Sequence, residues 1–279
     1  MSAINYHRAG SGPALVLLHG VGHHWQAWRP VIDQLASEFE VIACDSPGFG
    51  RSSPLPAGVA PTVGAYAEAL VRFLTELDLD RPHVAGNSMG GAIALELARR
   101  RSVRSATALS PAGFWTPAER RYCQQSLGLL ARLPSAVRPT LLALARTRPG
   151  RVALFSQILG SPAWMPAEEA VATLRDAWAA PAFADALAAF DAYTFRSGDE
   201  LRGIPVTIAW GRYDRLLLHG RQAPRARALL PWARHVTLRA GHVPFFDDPA
   251  AVAEGIRATA AEAPLDGSPG EGESRPGCS

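Results

Sequence analysis

Short apolar runs alternate with longer amphipathic segments along the first 111 residues and again after residue 200. The runs ALVLLHG (14–20), EVIACDSPG (40–48), PHVAGNS (82–88), SATALSP (105–111), IPVTIAWG (204–211) and RHVTLRAG (234–241) are strand-sized and apolar on both faces, and each ends near Gly, Pro, Asp or Ser. Strands of this kind belong in a sheet buried between two helix layers. Between them, AWRPVIDQLASEF (27–39), VGAYAEALVRFLTELDL (63–79) and MGGAIALELARRR (89–101) carry apolar residues at helical spacing. The alternation predicts an α/β fold with a doubly wound, mostly parallel sheet.

The pattern breaks after Pro111. Residues 112–200 hold no convincing strand and read as several short helices, rich in Ala, Leu and Arg and punctuated by proline. The expected organisation is a core of residues 1–111 and 201–262, interrupted by a helical insertion at 112–200. The aromatic residues of the insertion (Trp115, Trp164, Trp178, Phe183, Phe190, Tyr193 and Phe195) suit packing between helices, with a pocket roof as the alternative. The tail 263–279 is dense in Gly, Pro, Ser and Glu and is expected to be disordered.

Composition narrows the chemistry. The chain of 279 residues has a net charge of +3, which gives little reason to expect a nucleic-acid or anionic-membrane partner. Every basic residue is arginine; without lysine, Schiff-base chemistry, pyridoxal-phosphate attachment and a phosphate-binding P-loop are excluded. Cys44, Cys123 and Cys278 are far apart and odd in number, so free thiols in a reducing cytoplasm are expected. No apolar run has the length of a signal segment or a membrane span, which predicts a soluble cytoplasmic protein. His19 and His23 stand four apart in HGVGHH, but their glycine-rich flanks and the lack of H-E-x-x-H argue against zinc. No metal or cofactor is expected.

The segment Gly86-Asn87-Ser88-Met89-Gly90 joins a predicted strand to a predicted helix. Small residues two before and two after the serine would allow a turn tight enough to expose it. The helix start would then direct free N–H groups at the reaction centre, which suits an oxyanion. A serine needs a base. His242, in a loop after the last strand, is the best placed of the eight histidines; His19 and His83 sit at strand edges, and His7, His219 and His235 have no special setting. Asp214, after the strand 204–211, is the best placed acid, whereas Asp247 and Asp248 read as the start of the final helix. The order Ser88, Asp214, His242 is that of one triad-bearing fold. Met89 N–H supplies half of an oxyanion hole. Val21 N–H is the first candidate for the other half, and Gly22 the second.

LLHG, CDSPGFGRSS, GNSMGG, GRYD and AGHVPFFDDP, in this order, resemble the α/β-hydrolase superfamily over residues 14 to about 260. The resemblance implies Ser88 as nucleophile, Asp214 as acid and His242 as base, with the oxyanion hole at Met89 and Val21. It makes the 112–200 insertion a cap over the active site, and Asp45, Gly48 and Gly50 a turn near the pocket. Only INYHRAG precedes the first core strand, so the family's opening antiparallel strand should be short or missing, leaving about seven strands. Serine rather than aspartate at the turn implies acyl chemistry on a small-molecule ester, lactone or thioester. Carbon–carbon bond hydrolysis, enol-lactonase and cofactor-free perhydrolase activity stay open, although Pro244, Phe245 and Phe246 stand where carbon–carbon hydrolases usually carry a Trp. A non-catalytic ligand-binding or receptor protein on the same scaffold is the rival from another class.

Overall fold

The computed structural model describes residues 4–264. Seven strands form one sheet: β1 (Tyr6–Ala9), β2 (Ala14–Leu18), β3 (Glu40–Cys44), β4 (His83–Asn87), β5 (Ser105–Leu109), β6 (Val206–Gly211) and β7 (Arg234–Leu238), in the order β1-β3-β2-β4-β5-β6-β7. β1 is the antiparallel edge, with Tyr6 opposite Cys44. Every other pairing is parallel. The opening strand is therefore short but present, and it completes the expected seven.

Helices α1 (Arg29–Ala36), α2 (Val63–Glu76) and α3 (Met89–Arg99) follow β2, β3 and β4. Side chains alternate across each strand, so the sheet feeds two cores. Val16, Leu18, Val84 and Ile208 pack with α2 and α3, whereas Leu15, Leu17, Ala85 and Ala209 pack with α1 and the C-terminal helix α11 (Pro249–Ala261). Pro30 lies in the first turn of α1, where its missing N–H has no intrahelical role.

Between β5 and β6 the chain is helical: α4 (Pro117–Ala131), α5 (Arg138–Ala145), α6 (Arg148–Phe155), α7 (Ala167–Ala179) and α8 (Phe183–Ala189), with short 3₁₀ turns. α9 (His219–Leu229) and α10 (Pro244–Asp247) follow β6 and β7. Trp115, Phe183, Phe190 and Phe195 are buried among these helices. Trp164 departs from the expected packing: it is 75% exposed, beneath the Arg148 guanidinium. Both carboxylate oxygens of Glu119 in α4 accept from Arg225 of α9, 2.7 Å each, which fastens the helical segment to α9, while Oε2 also takes Thr116 N–H at 2.8 Å.

Cys44 and Cys123 are buried free thiols, while Cys278 and all but the first two residues of the 263–279 tail lie outside the described residues. Among the described residues no helix is long and apolar enough to cross a membrane.

The tightest backbone approach is at the end of β4. A methyl group on Gly86 would lie 2.1 Å from Gly90 O, and one on Gly90 would lie 2.2 Å from Leu18 O. Gly86 thus seats α3 against its own strand, and Gly90 seats it against the neighbouring strand. Gly86→Ala is expected to cost about 3 kcal/mol or more, because the clash is with backbone that cannot rotate away. A urea titration would show this as a lower midpoint at unchanged slope; a midpoint equal to wild type would contradict the packing.

Candidate active site

Ser88 sits between β4 and α3 with φ 56° and ψ −114°, a left-handed backbone that costs a non-glycine residue about 1–3 kcal/mol. The surrounding bonds over-determine it. Ser88 N–H donates to Leu109 O at 3.0 Å, and Ser88 O accepts from Ala92 and Ala112, also at 3.0 Å. Met89 opens α3, so its N–H belongs to the first turn, which a helix leaves without an intrahelical acceptor.

Asp214 and His242 meet although 28 residues separate them. Both follow the carboxyl ends of neighbouring strands, β6 and β7, and both are buried. His242 Nδ1 donates to Asp214 Oδ2 at 2.8 Å, while Asp214 Oδ1 accepts from Leu216 and Leu217 N–H at 2.9 and 2.8 Å. The carboxylate is thereby fixed on both oxygens, and the imidazole is held in one tautomer with Nε2 left as its basic nitrogen. Asn87, directly before Ser88, donates from Nδ2 to His242 O at 2.9 Å and to Leu109 O at 3.1 Å. The strand that carries the serine therefore also anchors the histidine loop.

Two further residues of the arrangement escaped sequence reasoning. Asp247 closes α10 rather than starting the last helix; Asp248 is the N-cap of α11, accepting from Ala251 N–H at 3.1 Å. Asp247 takes the N–H of Gly241 and Gly160 on Oδ2 and that of Ser161 on Oδ1, each at 2.8 Å. It thus ties the residue before His242 to the helical insertion. Asn87 likewise looks in sequence like a filler of the serine pentapeptide. Neither role has a local signal: Asn87 bonds 22 and 155 residues away, and Asp247, besides Gly241 close by, bonds main chain 86 and 87 residues away.

The loop after β2 holds the other expected backbone donors. Val21 is buried, and Gly22 has φ +82°. A methyl group on Gly22 would lie 2.6 Å from the Phe183 ring, so the insertion rests directly on this loop. A methyl group on Gly20 would approach Ser88 Cβ to 3.2 Å, which places the loop beside the serine. Asp45 braces it from below: its Oδ1 accepts Trp25 N–H at 2.8 Å, and its Oδ2 accepts Arg51 N–H at 2.9 Å and Asn5 Nδ2 at 2.7 Å. The expected turn at Asp45, Gly48 and Gly50 is present, and it is also a brace.

The histidines of this loop differ in charge for reasons visible in their bonds. His19 Nε2 accepts Ser46 N–H at 2.8 Å while Nδ1 donates to Gly20 O at 2.7 Å, which fits only a neutral ring; burial pushes its pKa down to about 4. Burial, with His19 and His24 close by, pushes His23 down to about 3. Burial would also lower His24, but Asp176 of α7, bonded to Nε2, outweighs it and leaves His24 raised; Gln26 Oε1 faces Nδ1. The His24–Asp176 pair joins the loop to the insertion. Among the described residues no group of three His, Cys, Asp or Glu is arranged to hold a metal ion.

Seven strands in this order and a serine at a strained strand-to-helix turn define a hydrolase scaffold. Residues 13–249 match the family described as alpha/beta hydrolase fold, and the chain belongs to it. An uncharacterized protein of Mycobacterium tuberculosis H37Rv is 31% identical over 259 residues, covering 87% of this chain and 73% of that one. Shorter matches include a pimeloyl-[acyl-carrier protein] methyl ester esterase of Aeromonas hydrophila, 38% identical over 34% of this chain and 36% of that one. A 2-hydroxy-6-oxo-2,4-heptadienoate hydrolase of Pseudomonas putida is 39% identical over 34% of this chain and 36% of that one. Among solved structures, a bacterial membrane phospholipase A superposes with a TM-score of 0.73 at 27% identity, over 92% of this chain and 82% of that one. The protein is an enzyme, a hydrolase of this fold.

Two outcomes follow. Asp247→Ala leaves three backbone N–H groups without their acceptor and is expected to cost about 2–4 kcal/mol, measured by chemical denaturation; a loss within ~0.5 kcal/mol would deny it a tying role. The second concerns pH. Folded His19 and His23 stay neutral down to about 4 and about 3, below the ordinary 6.5, so between pH 6.5 and 4 the unfolded chain binds protons that the folded chain does not. Stability therefore falls as pH falls through that window. His24 works the other way: its contribution is full below 6.5 and is lost as pH rises through its raised value. His23→Asn should flatten the acid limb of stability against pH by about one proton, ~1.4 kcal/mol per pH unit. An unchanged slope would show that His23 is not held neutral.

Proposed function

We propose that the protein hydrolyses a carboxylic ester, lactone or thioester through an acyl-enzyme on Ser88. The observation that carries this reading is the buried hydrogen bond from His242 Nδ1 to Asp214, in a loop fastened by Asn87, the residue immediately before Ser88. In the proposed reaction Ser88 Oγ attacks the acyl carbon as His242 Nε2 takes its proton. The oxyanion is received by Met89 N–H and Val21 N–H, with Gly22 N–H as the alternative to Val21. Collapse expels the alcohol or thiol, which receives the proton from His242. Water then attacks the acyl carbon, gives its proton to His242, and releases the acid as Ser88 regains its hydrogen. Asp214 stays ionised and steadies the imidazolium in both halves.

The residue types support the same reading. The chemistry needs a hydroxyl, an imidazole, a carboxylate and backbone N–H groups, all of which the chain supplies. The helices between β5 and β6 act as a cap in this reading, with Phe183 resting on the loop of Val21 and Gly22. A second reading, carbon–carbon bond cleavage of a vinylogous diketone, has the Pseudomonas putida relative in its favour. Against it, Pro244, Phe245 and Phe246 follow His242 where that chemistry usually has a Trp, and Phe245 packs on Trp28 at 4.7 Å between ring centres.

Short p-nitrophenyl esters are expected to be turned over, and Ser88→Ala should lower kcat by at least about a thousandfold. Asp214→Asn should lower it by ~10³–10⁴ through the wrong imidazole tautomer. A fluorophosphonate should add to Ser88 and to no other serine. Equal rates for wild type and Ser88→Ala, or an unlabelled Ser88, would overturn the acyl-enzyme. Preferential turnover of a 2-hydroxy-6-oxo-dienoate over simple esters would favour the second reading.

A further inference from the structure

A cavity of about 140 Å³ lies between the loop of Val21 and Gly22 and helices α4, α6, α7 and α8. Its apolar walls include Val21, Leu127, Phe155, Leu174 and Phe183, and its polar lining is His23, Ser126, Gln157 and Thr173. No arginine, aspartate or glutamate lines it. The contrast with its neighbour is sharp. A larger groove of about 430 Å³ shares His23 and Thr173 with it, and carries Arg29, Arg175, Glu168, Glu169 and Asp176. His23 and Thr173 thus divide a charged outer groove from an inner space without ionised side chains.

Size and polarity together specify what the inner space accepts. An apolar protein cavity of roughly 150 Å³ accommodates one benzene molecule, six carbon atoms. A carboxylate placed inside would lose its hydration without meeting a cation, which is strongly unfavourable. His23 offers no positive charge there, since burial holds it neutral down to about pH 3. Val21 and Gly22 line the cavity, and a methyl group on the adjacent Gly20 would reach within 3.2 Å of Ser88 Cβ, so one loop borders both the cavity and the serine.

We propose that this cavity is the acyl site, and that it selects an uncharged acyl group of about six carbon atoms or fewer. The assignment rests on the acyl-enzyme reading for its catalytic meaning, but the cavity can be tested without turnover. On p-nitrophenyl esters, kcat/KM is expected to be at least tenfold higher for hexanoyl than for decanoyl. It should also be at least tenfold higher for hexanoyl than for the anionic adipoyl monoester of the same length. Ala177 lines the cavity and would lie 3.7 Å from a methyl group on Gly22. Ala177→Leu should therefore lower the hexanoyl-to-acetyl ratio at least tenfold. Ser126→Leu, on the half-buried face of α4, should move the ratio in the same direction and serves if the first variant does not fold.

Binding of n-hexanamide to the Ser88→Ala protein, followed by calorimetry or by NMR shifts, reads the cavity alone. Saturable binding that a folded filling variant weakens tenfold supports the assignment, even if no ester is hydrolysed; that combination would overturn only the acyl-enzyme. Ester turnover with equal rates for hexanoyl, decanoyl and adipoyl substrates, or hexanamide binding indifferent to both variants, would overturn the acyl site while leaving Ser88 as nucleophile.

Discussion

The structure depends on one close approach, that of α3 to the ends of β4 and β2. Two glycines without side chains let backbone meet backbone there, and the serine between them is forced into a left-handed conformation. Such strain persists only where the surroundings over-determine it. Here the surroundings are the hydrogen bonds of Ser88 to Leu109, Ala92 and Ala112. The same approach brings Gly20, and with it the backbone of the following loop, to the side of the serine. A looser turn would let the serine fall back into the strand and would separate it from the helix start.

Electrostatics around that turn are arranged by bonding rather than by bulk charge. Three histidines crowd within six residues, yet their surroundings give them different protonation. His19 is kept neutral by burial, with a backbone N–H that needs its ring as acceptor, His23 by burial, and His24 is drawn toward the charged form by Asp176. One loop therefore holds its backbone in place with a neutral ring and its neighbour helix with an ionisable one. Like charges are kept apart in a space where three imidazolium rings would repel strongly.

Much of this was legible in the chain, and the division has a physical cause. All six strand-sized runs became strands: the five interior ones are buried over nearly their whole length, while β7, at the sheet edge, is partly exposed. The meeting of Asp214 and His242 followed from their positions at strand ends, since neighbouring parallel strands bring their carboxyl ends to one edge. What escaped was set by distant partners. Asp176 lies 152 residues from His24 and looks like any acidic residue on a helix surface. Asp247 looked like a helix start because its acceptor role is directed at main-chain groups, which carry no sequence label. The exposed Trp164 shows the limit of reading aromatics as core, since an arginine above its ring replaces the burial that composition suggests.

Asp247 has a consequence for how such a molecule can diversify. It recognises the helical segment through the amides of residues 160 and 161 alone, and main-chain amides are supplied by every amino acid except proline. That one contact is therefore indifferent to which side chains stand at those two positions, whereas Glu119–Arg225 and His24–Asp176 hold the same segment through specific side chains. The loop that carries His242 therefore draws its support from main-chain amides rather than from partner side chains that a substitution could remove.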